Sequence, residues 1–159
     1  MTTMSMLGEV RPEHDRETDG DLVLLHYLRS FRRPVLEVWS ACTEWRQLGR
    51  WFGTVSGAGG ELTIEPIDGP GIGPITVRVD ECRAPHELVA QIDGCVLELR
   101  MTQVGVVTNV ELIRRHVCPA DASTIGPRWQ YLLDRLTAYL DRQPLPQWPE
   151  YPELACEYK

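Results

Sequence analysis

The chain predicts an α+β domain in which a curved antiparallel β-sheet closes over one long C-terminal helix. Three observations carry this prediction. Gly126–Arg142 holds a helical period over its whole length, with Trp129, Leu132, Leu133, Leu136 and Leu140 in one apolar stripe. Several shorter segments before it alternate apolar and polar residues with the period of two that a half-buried strand requires. Between the first of these segments and the rest lie two short amphipathic stretches. The predicted order is therefore strand, two short helices, five or six strands and a long helix, and each apolar face must be buried against another.

At 159 residues and 43% hydrophobic content, the chain suits one domain with a sizeable core. The first 21 residues hold six carboxylates against two arginines, and the last 17 hold three against one lysine, so most of the net charge of -7 sits outside the predicted domain. No basic face that would favour nucleic acid is evident. No stretch approaches the roughly 18 uninterrupted apolar residues of a membrane span, and an acidic N-terminus differs from a signal peptide. A cytoplasmic protein is expected, with no membrane association.

Residues 1–20 mix Met, Thr, Glu, Asp and Arg without a period and are expected to be a disordered acidic lead-in. Leu22–Phe31 is too apolar for an exposed loop and reads as the first strand, ended by Arg32-Arg33-Pro34. Pro34 suits a first helical turn, and Val35, Val38, Trp39 and Cys42 follow at helical spacing. Thr43 is placed to cap a second helix with a face of Trp45, Leu48, Trp51 and Phe52, which Gly53 ends. Two short helices in series have the outline of a helix–turn–helix, and Arg46, Gln47 and Arg50 are available to it, but the Trp-rich face reads as core packing.

Gly57, Gly59, Gly60, Gly69, Gly71 and Gly73 read as turn residues, since neither run continues into the Lys-Ser/Thr and helix of a phosphate loop. Glu61–Asp68, Ile75–Arg83 and Leu88–Asp93 read as strands, and Asp93-Gly94 as a two-residue hairpin turn. Cys95–Thr102 and Val106–Ile113 alternate in the same way, with Gly105 between them, and Arg114-Arg115-His116 reads as the end of the last strand. Pro127 is expected in the first turn of the long helix, and Pro144 beyond its end. Five cysteines, Cys42, Cys82, Cys95, Cys118 and Cys156, form no CxxC pair and read as free thiols. No metal site with recognised ligand spacing arises from them with His86 or His116, and no cofactor is expected.

Five groups of residues fall in a particular order. They are Arg29-Ser30-Phe31 with Pro34 and Val38-Trp39; Thr43, Leu48 and Trp51-Phe52-Gly53; Pro85-His86-Glu87-Leu88-Val89; Thr108 to Leu112; and Trp129, Leu132, Leu133 and Leu136. Across residues 22–142 this order resembles the helix-grip fold of the START-like (SRPBCC) superfamily. Within it, the chain is similar to the branch of homologues of the activator of the ninety-kilodalton heat-shock-protein ATPase. The resemblance implies six or seven antiparallel strands wrapped round the long helix over residues 21–142, with an elongated cavity between them. Superfamily members bind lipids, polyketides, hormones and other apolar molecules there, and some perform chemistry in it. Residues 1–20 and 143–159 lie outside the common pattern.

The favoured reading is a non-enzymatic binding module for a small hydrophobic molecule. Its expected walls are Val79, Leu99, Met101, Val110 and Leu112 on the sheet, opposite Trp129 and Leu133, with Trp51 and Phe52 closing the space. Leu136 and Leu140 would seal the other end. A second reading is a cyclase- or hydrolase-like enzyme in the same cavity, for which His26, Glu98, Glu111, His116 and Tyr131 are the titratable candidates, none within a recognised motif. A third is a protein-interaction or chaperone-accessory role, as monomer or homodimer. It draws on the tail 143–159, where Pro144, Pro146, Pro149 and Pro152 interleave with Trp148 and Tyr151 and predict an extended segment. Packing of that tail on its own domain is favoured over an open site for a partner.

Overall fold

The computed structural model describes residues 8–12, 22–66, 73–92 and 94–158. Its strands are β1 (Glu9–Pro12), β2 (Val23–Phe31), β3 (Gly53–Ala58), β4 (Glu61–Pro66), β5 (Ile75–Arg83), β6 (Glu87–Ile92), β7 (Cys95–Val104) and β8 (Val107–Val117). Among the described residues they form one antiparallel sheet of eight strands, in the order β1-β2-β8-β7-β6-β5-β4-β3. The helices are α1 (Val35–Thr43), α2 (Trp45–Trp51), α3 (Pro119–Leu140) and a 3-10 helix over Trp148–Tyr158. The sheet wraps α3, and the core between them includes Leu25, Tyr27, Phe31, Leu99, Met101 and Val110 from the sheet and Trp129, Leu132, Leu133 and Leu136 from the helix. No described helix is long and apolar enough to cross a membrane.

The eight strands exceed the expected six or seven, and two of them, β1 and β3, fall where no strand was expected. Within the lead-in expected to be disordered, Glu9–Pro12 pairs with β2 from Glu9↔His26 to Pro12↔Val23. This edge strand is mostly exposed, so it has no apolar alternation to betray it. Its hold comes from Gly8, whose N–H donates to Gln130 Oε1 (3.2 Å) and to the Tyr158 hydroxyl (3.0 Å). β3 was hidden in the glycine-rich stretch. It pairs along its length with β4 through a turn in which Gly59 and Gly60 both take positive φ, 68° and 86°. Ile92↔Cys95 pairing likewise makes β6–β7 a two-residue hairpin, with Gly94 at φ 83°, while Asp93, Gly69 and Gly71 lie outside the described residues.

Three further expectations change. Glu44 occupies the N-cap position of α2, and the Thr43 hydroxyl instead donates to the Trp39 carbonyl inside α1 (2.8 Å). α3 starts at Pro119, roughly two turns before Gly126. Pro119 takes the first-turn role, and Pro127 falls inside the helix, where it removes one i→i−4 bond. Residues 148–158 form a 3-10 helix instead of an extended tail. Three residues per turn place Trp148, Tyr151 and Leu154 on one face, which packs on the core. Tyr131 of α3 meets Trp148 and Tyr151 edge-on, at ring-centroid distances of 5.4 and 5.0 Å.

Candidate functional site

Alternation along β8 puts Thr108, Val110, Leu112 and Arg114 on the concave face, and all four are buried. Arg114 therefore occupies a position whose phase belongs to the core, with Leu25 of β2 and Leu97 of β7 opposite it in register. Beyond it the pairing jumps from Leu25↔Arg114 to Val23↔Val117, which leaves one extra residue on β8. His116, at φ 59°, takes the left-handed conformation that such a bulge needs. The bulge turns Val117 inward beside Arg114 where strict alternation would turn it out, and Val117 is buried.

Arg114 lines a cavity of about 390 Å³ between the sheet and the N-terminal half of α3. Its sheet-side wall is formed by Pro74, Ile75, Ile92 and Cys95, and its helix side by Ile125, Arg128, Trp129 and Leu132. Two arginines thus line an otherwise largely apolar space, and no described carboxylate lines it. Arg114 is 6% exposed, and its Nε and Nη1 are buried without a hydrogen-bond partner among the described residues. Two other core arginines have acceptors for part of their guanidinium groups. Arg135 donates from Nε to the Trp51 carbonyl (2.6 Å), and from Nη1 to the Tyr131 hydroxyl (3.0 Å) and the Pro146 carbonyl (3.2 Å). Arg29 pairs with Asp134 at 2.7 Å, and Asp134 also accepts from the Tyr151 hydroxyl at 2.7 Å. Gln130 Oε1 accepts from the Tyr158 hydroxyl at 2.7 Å.

Burial raises the hydroxyls of Tyr27, Tyr151 and Tyr158 above their usual value, and the bond to the Asp134 carboxylate raises Tyr151 further. Burial also pushes the Cys42 thiol up to about 12. All three tyrosines stay neutral donors at physiological pH, which suits the bonds they make.

Of the expected wall residues, the structure brings Trp129 to the cavity. Trp51, Phe52, Leu99, Met101, Val110, Leu112 and Leu133 are buried in the core without lining it. Trp51 Nε1 donates to the Ala41 carbonyl (2.8 Å), and Phe52 packs edge-on against Trp129 at 6.3 Å, so both fix α2 to the core. Val79 is corrected: it is 42% exposed. The β4 ladder ends at Glu61↔Arg78, so Val79 has a strand neighbour on the β6 side only.

The acid–base candidates gather elsewhere. His26 and Glu111, on neighbouring strands, meet at 3.0 Å. Both lie in the strand phase opposite to Leu25, Tyr27, Val110 and Leu112, on the outer face. Glu98 joins the same face through Arg115 at 3.2 Å, and Arg100 bridges toward Glu111 at 3.5 Å. Tyr131 points to the tail helix, and neither it nor His116 lines the cavity. Among the described residues no group of three or more His, Cys, Asp or Glu could hold a metal ion. Sequence reasoning passed over Arg114 as a strand end, although its phase with Thr108, Val110 and Leu112 was the available signal.

No protein-family model matches the chain, and no curated protein matches it in sequence. Solved structures do resemble it. The crystal structure of CalU16 from Micromonospora echinospora has a TM-score of 0.72 at 23% identity, covering 95% of this chain and 91% of that one. DynU16, a protein in the dynemicin biosynthetic locus, has a TM-score of 0.64 at 23% identity, covering 74% of this chain and 47% of that one. The Aha1 dimer from Colwellia psychrerythraea has a TM-score of 0.64 at 16% identity, covering 74% of this chain and 95% of that one. At these identities the likeness is one of fold, and the chain has the helix-grip fold expected from its element order.

Proposed function

We propose that the chain is a non-catalytic binding module of the START-like superfamily, taking a small hydrophobic molecule into the cavity between sheet and α3. The observation that carries this reading is the cavity itself. Its volume of about 390 Å³ and its walls of Ile75, Ile92, Ile125, Trp129 and Leu132 fall within the range and chemistry of small-molecule sites. The placement of His26, Glu98 and Glu111 on the opposite sheet face favours binding over turnover. DynU16 comes from a biosynthetic locus, which agrees with a role near small apolar metabolites. A cytoplasmic location belongs to the same reading and rests on five cysteines that stay free.

The test is native mass spectrometry of protein purified from its own host. A discrete small-molecule adduct is expected in the wild type and is lost when Ile92→Trp fills the cavity of a still-folded protein. An adduct that survives Ile92→Trp, or a wild type that takes up no apolar compound from a hydrophobic library, would overturn the reading.

A further inference from the structure

We propose that the ligand of this cavity is an apolar acid and that Arg114 binds its carboxylate, an inference that rests on reading the cavity as a ligand site. A guanidinium group cannot escape burial by losing its proton, unlike an amine or an imidazole. Buried without a partner, it remains a charge stripped of water, which folding tolerates poorly. Arg114 is in that position: it is 6% exposed, with Leu25 and Leu97 opposite it in register, and its Nε and Nη1 have no acceptor among the described residues.

The rest of the core shows what this chain does with other buried arginines. Arg135 has three acceptors and Arg29 has a carboxylate. Arg114 lines the cavity, and no carboxylate among the described residues lines that space with it, so its counter-ion is assigned to what fills the cavity.

A carboxylate fits the unmatched group in charge and shape. It is a planar monoanion whose two oxygens can take a forked pair of N–H bonds. A phosphate monoester would bring about one and a half to two negative charges to this single buried cation. Arg128, half-buried on the helix side, adds a second positive group that draws an acid in and leaves a neutral molecule indifferent. Ile75, Ile92, Trp129 and Leu132 would hold the apolar body. At about 390 Å³ the space sits near the small end of ligand sites, which suits a medium-length aliphatic acid or a one- or two-ring aromatic acid.

Matched pairs separate this proposal from the cavity reading beneath it. Decanoate and decanamide, then 2-naphthoate and 2-naphthamide, are titrated calorimetrically into wild type at pH 7.5. Each acid is expected to bind at least about tenfold more tightly than its amide, the preference of a charge-assisted bond over a neutral one. In Arg114→Met that preference should shrink to about twofold or less, with amide affinity preserved. Acids and amides binding equally to wild type overturns the carboxylate assignment and leaves the cavity reading standing. No binding of any of the four overturns both. The wild-type comparison decides the matter without a variant, and Arg114→Gln provides a second variant should Met disturb the fold. An acid preference undiminished in a folded Arg114 variant also overturns the role given to this residue.

Discussion

The two flanks of α3 treat buried polarity in opposite ways. On the flank of Gly126, Gln130 and Asp134, the helix meets β2, β1 and the tail helix through a set of hydrogen bonds and an ion pair. Tyr27 donates to the Gly126 carbonyl (2.8 Å), Arg29 pairs with Asp134, and Tyr151 and Tyr158 donate to Asp134 and Gln130. On the flank of Ile125, Arg128, Trp129 and Leu132 it faces the cavity, with the unmatched Arg114 across from it. A polar network bonded within the chain fixes one arrangement of its elements, whereas an arginine that lines open space without a carboxylate asks for a molecule the chain does not supply. The difference separates the part of the helix that holds the fold from the part available for binding.

Exchanging arginine for methionine on each flank puts that contrast to its hardest test. Arg29→Met leaves Asp134 buried without its cation and is expected to cost about 3–5 kcal/mol in urea unfolding. Arg114→Met removes a charge with no partner and should leave the midpoint unchanged or raised. Equal losses from both would erase the distinction between the flanks.

Alkaline pH should act on the bonded flank, where Tyr27, Tyr151 and Tyr158 all lie, and at the buried Cys42 thiol of α1. The tyrosines' folded-state pKa values stand above the usual 10.0, so the folded form binds these protons more tightly than the unfolded chain. The associated stability is whole below pH 10 and declines as pH rises from there toward the folded values. Melting curves from pH 8 to 11 should begin to fall above about 9, where the buried Cys42 thiol contributes, and fall more steeply above about 10, and Tyr151→Phe should soften the steeper part.

A smaller effect is expected at Gly126, where an added Cβ would run into the Tyr158 ring. Gly126→Ala should destabilise by about 1–3 kcal/mol and speed proteolysis within residues 143–158, leaving cavity binding intact. Least of all should follow from Val79→Thr, which at an exposed margin should shift stability by about 0.5 kcal/mol or less and leave ligand affinity unchanged. A large loss of binding there would return Val79 to the cavity wall.

Long, strongly periodic elements were legible in the sequence and weakly patterned ones were not. α3 announced itself through Trp129, Leu132, Leu133 and Leu136, but its first two turns contain small and polar residues that carry no stripe. β1 and β3 escaped because edge strands need little apolar surface, and because Gly53 read as the end of a helix and Gly57 as a turn residue. At Gly53 a Cβ would collide with the Glu65 backbone, so this glycine marks close strand approach. The tail's prolines excluded a regular α-helix, but a 3-10 turn tolerates them and sequence gives little warning of it. The inner sheet face was readable residue by residue. What alternation could not reveal was which part of that face is packed solid and which part borders space, since Leu99 and Ile92 look alike in sequence. That division depends on where Trp51 and Phe52 fill the volume and where nothing does.

The bond from the Gly8 N–H to the Tyr158 hydroxyl joins positions 150 apart. A ribosome adding roughly 5–20 residues per second makes the first of these long before the second. Until the later segment arrives, the lead-in lacks the anchor that fixes its start, and the outer edge of β2 has only a loosely held partner. The margin of the sheet nearest the beginning of the numbering is therefore the last to be secured. Amide exchange should report this as one event, with β1 and the tail helix opening together.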